Sequence, residues 1–343
     1  MNSDIYQQNK AVVKSLCDAM YNFEQSDVRG VLKSRFHPDA RIQLCYPFED
    51  LDGPEGFYND ALAPLHDAVP DLERRDTIIM SGKTGDGDWV GCCGYYTGFF
   101  SKPWLDIPPT GHQFAMRFHE FYRVQDGLIT EVQALWDIPE VMMQAGVWPM
   151  AVSLGREWQV PAPATQDGLN PILGSEEQSR ASIKLVGDMC AGLGEFAAGG
   201  VEAMGLDKYW HPRCSWYGPA GIGSCRGIEG FRNWHQIPFL NGMPNRQGDA
   251  NAGHFFSEGE YVAFTAWPGM SATISNDGWM GIAPAGQKVT MRSLDFWRCE
   301  NGKIRENWVL VDLLSVYAQI GVDVLGRMRE LNKARYPFGK LDL

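Results

Sequence analysis

One stretch of this chain occurs twice without a gap. Residues 107–147 read IPPTGHQFAMRFHEFYRVQDGLITEVQALWDIPEVMMQAGV and residues 282–322 read IAPAGQKVTMRSLDFWRCENGKIRENWVLVDLLSVYAQIGV, so matched pairs lie 282 − 107 = 175 positions apart. Met116, Arg117, Phe121, Arg123, Gly127, Glu131, Asp137 and Gly146 recur as Met291, Arg292, Phe296, Arg298, Gly302, Glu306, Asp312 and Gly321. An internal repeat this long makes two similar folding units the first expectation. The 343 residues have room for both. The expected division is a first copy over 1–150, a linker over 151–177 that contains Pro161, Pro163, Gly168, Pro171 and Gly174, a second copy over 178–330, and a tail over 331–343.

Each repeat has the grammar of an antiparallel hairpin. Alternating residues lead into Asp126-Gly127 or Asn301-Gly302, dipeptides that supply the positive φ of a two-residue turn, and a second alternating run ends in aspartate. With no irregularity, that turn pairs Glu120 with Gln133 and Asp295 with Trp308. Because strand side chains alternate between faces, Glu120, Gln133 and Asp137 would then share one face, and Asp295, Trp308 and Asp312 the equivalent face of the second copy.

The chain before each hairpin repeats as well. Apolar residues at helical spacing run from Ile5 to Lys33 and stop at Phe36-His37-Pro38, because proline cannot continue a helix. A strand is expected at 41–46, a helix from Gly53 to about Ala68, and strands over 77–80 and 89–99. In the second copy Tyr209 to Pro212 answers Phe36 to Pro38, and Arg226 to Phe231 answers the helix start at Gly53. The opening helix of that copy carries Gly192, Gly194, Gly199 and Gly200, which predicts a broken element. Leu325, Met328 and Leu331 then mark an amphipathic tail.

Composition excludes several classes. A formal net charge of −12 disfavours nucleic acid and anionic membranes, which need a cationic face. No apolar run approaches membrane-spanning length, and MNSDIYQQNKAVVK lacks the pattern of a signal peptide. Eight cysteines without zinc-type spacing read as reduced, buried thiols of a cytoplasmic protein, with no metal and no cofactor expected. Gly218 to Gly223 lacks the βαβ context of a dinucleotide loop, and no nucleophile elbow is present.

Helix, His-Pro, strand, Gly-led helix, then a long hairpin with an Arg-x-x-(Asp/Asn)-Gly turn and a terminal aspartate: this order resembles the SnoaL-like polyketide cyclase family. That family belongs to the superfamily of nuclear transport factor two and ketosteroid isomerase. The resemblance spans both copies. It implies an α+β fold of two tandem cone-shaped barrels, each a curved antiparallel sheet wrapped by helices, packed through their sheets as a pseudo-dimer within one chain that could assemble further. It also implies cofactor-free acid/base chemistry on a hydrophobic carbonyl-containing small molecule. In SnoaL-type cyclases an aspartate at the end of the last strand is the general acid/base, and Asp137 and Asp312 match it. Glu120 and Asp295 resemble the protonated aspartate of the isomerases. The isomerases' separate base is missing, since Leu44 and Gly218 stand there.

Two carboxyls on one buried face would push one pKa towards neutrality and leave an ionised base beside a neutral acid. Asp312 is then the expected base and Asp295 its partner, with Tyr217, Trp234, His235 and Trp308 forming the second pocket. The first copy has Gln133 for Trp308 and Ala61 for His235, so unequal pockets are expected, the second better formed. Helix capping is the alternative role for both terminal aspartates. His119 should point away from Glu120, and His37 and His211 read as caps. A hydrolase or dehydratase on the same fold, or a non-catalytic small-molecule binder, are the competing functions.

Overall fold

The computed structural model describes residues 2–248, 252–284 and 286–333. Its two halves repeat one plan. In the first, α1 (Asn2–Tyr21) and α2 (Gln25–Arg35) lead into β1 (Phe36–Leu44) and β2 (Glu49–Leu51). The helical stretch from Gly53 to Ala68 consists of α3 (Gly53–Gly56), a π-helical segment (Phe57–Leu62) and α4 (Ala63–Ala68). It is followed by β3 (Glu73–Thr84), β4 (Gly87–Phe99), β5 (Gln113–Gln125), β6 (Leu128–Trp136) and α5 (Ile138–Gln144). The strand order is β2-β1-β6-β5-β4-β3. Strand β1 returns parallel to β6 and the other pairings are antiparallel. The single helix expected over 5–33 is two helices, with α1 ending at Tyr21.

In the second half α6 (Glu176–Leu193), α7 (Phe196–Ala203) and α8 (Leu206–Tyr209) replace the opening helix, and Gly199 and Gly200 leave helical geometry inside α7. Next come β7 (Trp210–Tyr217), β8 (Cys225–Arg226), α9 (Gly227–Phe231), a second π segment (Arg232–Gln236) and α10 (Ile237–Gly242). The half closes with β9 (Gln247–Gly248), β10 (Gly253–Glu258), β11 (Tyr261–Thr273), β12 (Lys288–Glu300), β13 (Lys303–Val311) and α11 (Leu313–Gln319). Its sheet runs β10-β11-β12-β13-β7-β8, with β9 added on β11. Helix α12 (Val324–Lys333) buries Leu325 and Met328, and the rest of the tail lies outside the described residues. Between α5 and α6 the chain forms neither helix nor strand beyond one bridge, Arg156 to Ser224.

The sheets pack face to face about a pseudo-twofold axis. Phe121 and its copy Phe296 meet with ring centroids 5.0 Å apart and planes tilted by 31°, and His119 Nδ1 lies 2.7 Å from the carbonyl of Leu294, which is the copy of His119 itself. Side chains near a twofold must meet their own copies, so these contacts locate the axis. Gly91 makes room for the Phe296 ring, since a Cβ there would sit 3.0 Å from it. Further out the contacts are reciprocal. Asp137 accepts from the Ala220 backbone N–H at 2.9 Å, and Asp312 accepts from that of Tyr46 at 3.0 Å. Arg117 donates to the carbonyls of Tyr217, Gly218 and Val309 across the same seam.

Candidate active site

The register differs from the simple hairpin by one residue, in both copies alike. Asp126, Gly127, Asn301 and Gly302 all have positive φ, as a two-residue turn needs. A bulge then follows, between Arg123 and Val124 in one copy and between Arg298 and Cys299 in the other. It adds Thr130 and Arg305 to the returning strands, so Glu120 pairs with Ala134 rather than Gln133, and Asp295 with Val309 rather than Trp308. A one-residue slip moves every later side chain to the opposite face. Gln133 and Trp308 therefore lie on the seam face. Gln133 accepts from Thr265 at 2.7 Å, and the Trp308 indole donates to the Pro161 carbonyl at 3.0 Å.

Asp137 and Asp312 fall on the seam face too, opposite Glu120 and Asp295. Asp312 caps α11 by accepting from the Ser315 N–H and is bonded by Arg292 at 3.1 Å. Burial pushes both aspartates up, to about 6, against their arginines and backbone N–H donors. The space between them is about 10 Å³, lined by Tyr46, Trp136 and Leu310 among others. That holds a water at most. The expected Asp295–Asp312 pair is thus not assembled.

Two further expected pocket residues are displaced. Trp234 is 51% exposed. Tyr217 sits on the seam face against Trp308, its hydroxyl 3.3 Å from Glu306. Trp216, its neighbour, takes the inner face instead, where His235 stacks on it at 4.0 Å. His235 is half-buried between Trp216, Phe231 and Phe239, and desolvation of the ring lowers its pKa to about 3, so the ring is neutral. The sequence reading missed Trp216 because a one-residue uncertainty in β7 exchanges it for Tyr217.

The two inner carboxyls have opposite surroundings. Glu120 accepts from Arg74, from the Tyr96 hydroxyl at 2.8 Å, from Tyr122 and from the Trp136 indole at 2.8 Å. Burial alone would raise its pKa, but the Arg74 charge and these donors outweigh it, and the carboxylate is held below its ordinary range. Asp295 has Ser293, at 2.8 Å, as its one hydrogen-bonding side chain among the described residues. Phe264 and Val309 flank it on the neighbouring strands, and Trp297 shares its face. Desolvation with so little compensation raises it to about 7. At neutral pH it exchanges between acid and base forms.

A groove of about 550 Å³ opens on the first half, between α1, β3 and residues 169–171, with Lys10, Lys14, Cys17, Arg74 and Asp76 on its walls. Seven of the eight cysteines are buried as expected and Cys190 is exposed; all are free thiols. Among the described residues no helix is long and apolar enough to cross a membrane.

Sheet, helices and repeat together define a tandem pair of cone folds of the nuclear transport factor two type. The model of the SnoaL-like polyketide cyclase family matches residues 14–145 and again residues 200–320, and the chain belongs to that family. Similar solved structures include IdmH from Streptomyces antibioticus, a candidate polyketide cyclase, at 25% identity and TM-score 0.35, covering 40% of this chain and 99% of that one. A candidate SnoaL-like cyclase from Jannaschia sp. CCS1 aligns at 24% identity and TM-score 0.36, covering 40% and 92%. TsrD from Streptomyces laurentii aligns at 24% and 0.33, covering 40% and 96%. No curated protein matches the sequence.

Proposed function

We propose that the chain is a cofactor-free cyclase or isomerase acting on a hydrophobic carbonyl-containing small molecule, and that Asp295 carries the proton. The observation that supports this is the poverty of Asp295's surroundings: a buried carboxyl with one hydroxyl partner, on a face walled by Trp216, Trp297 and Phe264. An intramolecular aldol closure removes a proton from the carbon beside one carbonyl and delivers one to the oxygen of another. A carboxyl poised near neutrality serves both steps, accepting in its ionised form and then donating, so no proton is gained or lost overall. The neutral acid also hydrogen-bonds the developing enolate oxygen, where a charged one would repel it. Neutral His235 contributes an aromatic wall rather than a charge. We further propose residues 1–150 and 178–330 as the two domains, with catalysis in the second.

The test is proton exchange. The full chain is incubated in D2O with a hydrophobic β-dicarbonyl compound, and deuterium uptake at the activated carbon is followed by NMR. Asp295→Asn should lower the enzymatic rate by about two orders of magnitude, the usual worth of a positioned acid/base. Glu120→Gln should leave exchange measurable. Equal rates for parent and Asp295→Asn would remove Asp295 from the chemistry. Retention of a small molecule in a native mass spectrum, with no exchange in the parent protein, would identify a binder instead.

A further inference from the structure

Outside the Asp295 site, one cluster of metal-ligating side chains stands out. Cys17 on α1, Asp76 on β3 and Cys92 on β4 bring their ligand atoms within 4.8 Å of one another. We propose that these three residues form a zinc-binding site in the first half. A tetrahedral zinc ion with bonds of about 2.0–2.3 Å holds its donor atoms about 3.5–3.8 Å apart, so the side chains need to close by about 1 Å at most, within the reach of χ rotation. Two thiolates and a carboxylate leave one coordination position, and Cys17 and Asp76 both line the groove, which supplies the entry path and room for a fourth, exchangeable ligand.

The charge balance fits. Arg74 is already matched by Glu120 and Asp76, which leaves the cluster one negative charge in excess. A divalent cation entering as the Cys17 and Cys92 thiols release their protons to solvent leaves that total unchanged. Arg74 meanwhile orients the Asp76 carboxylate through contacts of 2.9–3.2 Å, as an outer-shell partner of a metal ligand does. The second half cannot form the same site. Following the strand pairing, Phe264 stands where Cys92 does and Gly253 where Asp76 does. No spacing in the sequence announces the cluster, since its members come from three separate elements.

Calorimetric titration of the reduced, metal-free full chain with Zn2+ tests the site. One equivalent per chain should bind, and Cys17→Ser and Cys92→Ser should each weaken association at least about tenfold. Cys190→Ser, which alters an exposed thiol, should bind as the parent does. Co2+ in the parent protein should develop thiolate-to-cobalt charge-transfer absorption, a readout that stays informative if the serine variants misfold. Absence of stoichiometric Zn2+ binding, a Co2+ complex without that absorption, or folded serine variants with parental affinity would each overturn the proposal.

Discussion

Glu120 and Asp295 stand at the same place in two copies of one hairpin, 175 residues apart, and meet opposite fates. Around Glu120 the sequence supplies Tyr122, Trp136 and Tyr96 as donors. The positions answering them carry Trp297, Val311 and Met270, of which Val311 and Met270 have no side-chain donor. The first carboxyl is a saturated ion pair that holds its half together, and the second is poorly compensated and close to its titration point. A shared fold therefore fixes where a carboxyl sits, while the side chains around it decide whether it is held ionised or raised towards neutrality.

The largest test of this contrast removes the compensation. Arg74→Met leaves the Glu120 carboxylate buried without its cation and should cost about 3–5 kcal/mol, whereas adding Glu120→Gln, which removes the buried charge but keeps an amide oxygen for the Tyr96, Tyr122 and Trp136 donors, should recover part of the loss. Urea unfolding of the single and double variants measures it, and a single variant as stable as the parent would break the comparison.

A smaller effect separates the halves by pH. The folded Asp295 titrates near 7 against an ordinary 3.8, so the folded state binds the extra proton. Its contribution to stability is therefore intact below about pH 4, declines as pH rises, and is fully lost above about pH 7. Asp295→Asn should abolish that decline, so the variant gains on the parent across this window, and unfolding midpoints at several pH values would show a constant difference if the burial reading were wrong.

The smallest effect should fall somewhat more on the second half, where the aspartate also caps its helix. Asp312→Ala removes a helix cap and a bond to Tyr46, and Asp137→Ala removes the matching bond to Ala220. Each should cost about 1–2 kcal/mol. Strongly unequal losses would show the seam to be less symmetric than its hydrogen bonds.

Much of the fold was legible in the sequence because turn chemistry and repetition are local signals. Asp126-Gly127 and Asn301-Gly302 located both hairpins, Phe36-His37-Pro38 ended a helix where α2 ends, and the glycines of α7 marked its kink. The side-chain faces were not legible, because a bulge is set by how a strand fits its partners. Nor did alternation leave a trace of it, since residues 132–136 are all buried and both faces of β6 are covered. The Arg74–Glu120 pair left no such trace, since its members are 46 residues apart.

The reciprocal bonds of Asp137 and Asp312 bear on how such a molecule can change. In an assembly of two identical chains every substitution appears twice, so a residue that suits one site is imposed on the other. Here the seam keeps its twofold pattern while the two inner faces are encoded separately. Val311 could replace the counterpart of Trp136 without disturbing Glu120, and a hydrogen-bonded anchor in one half left the other free to lose its donors.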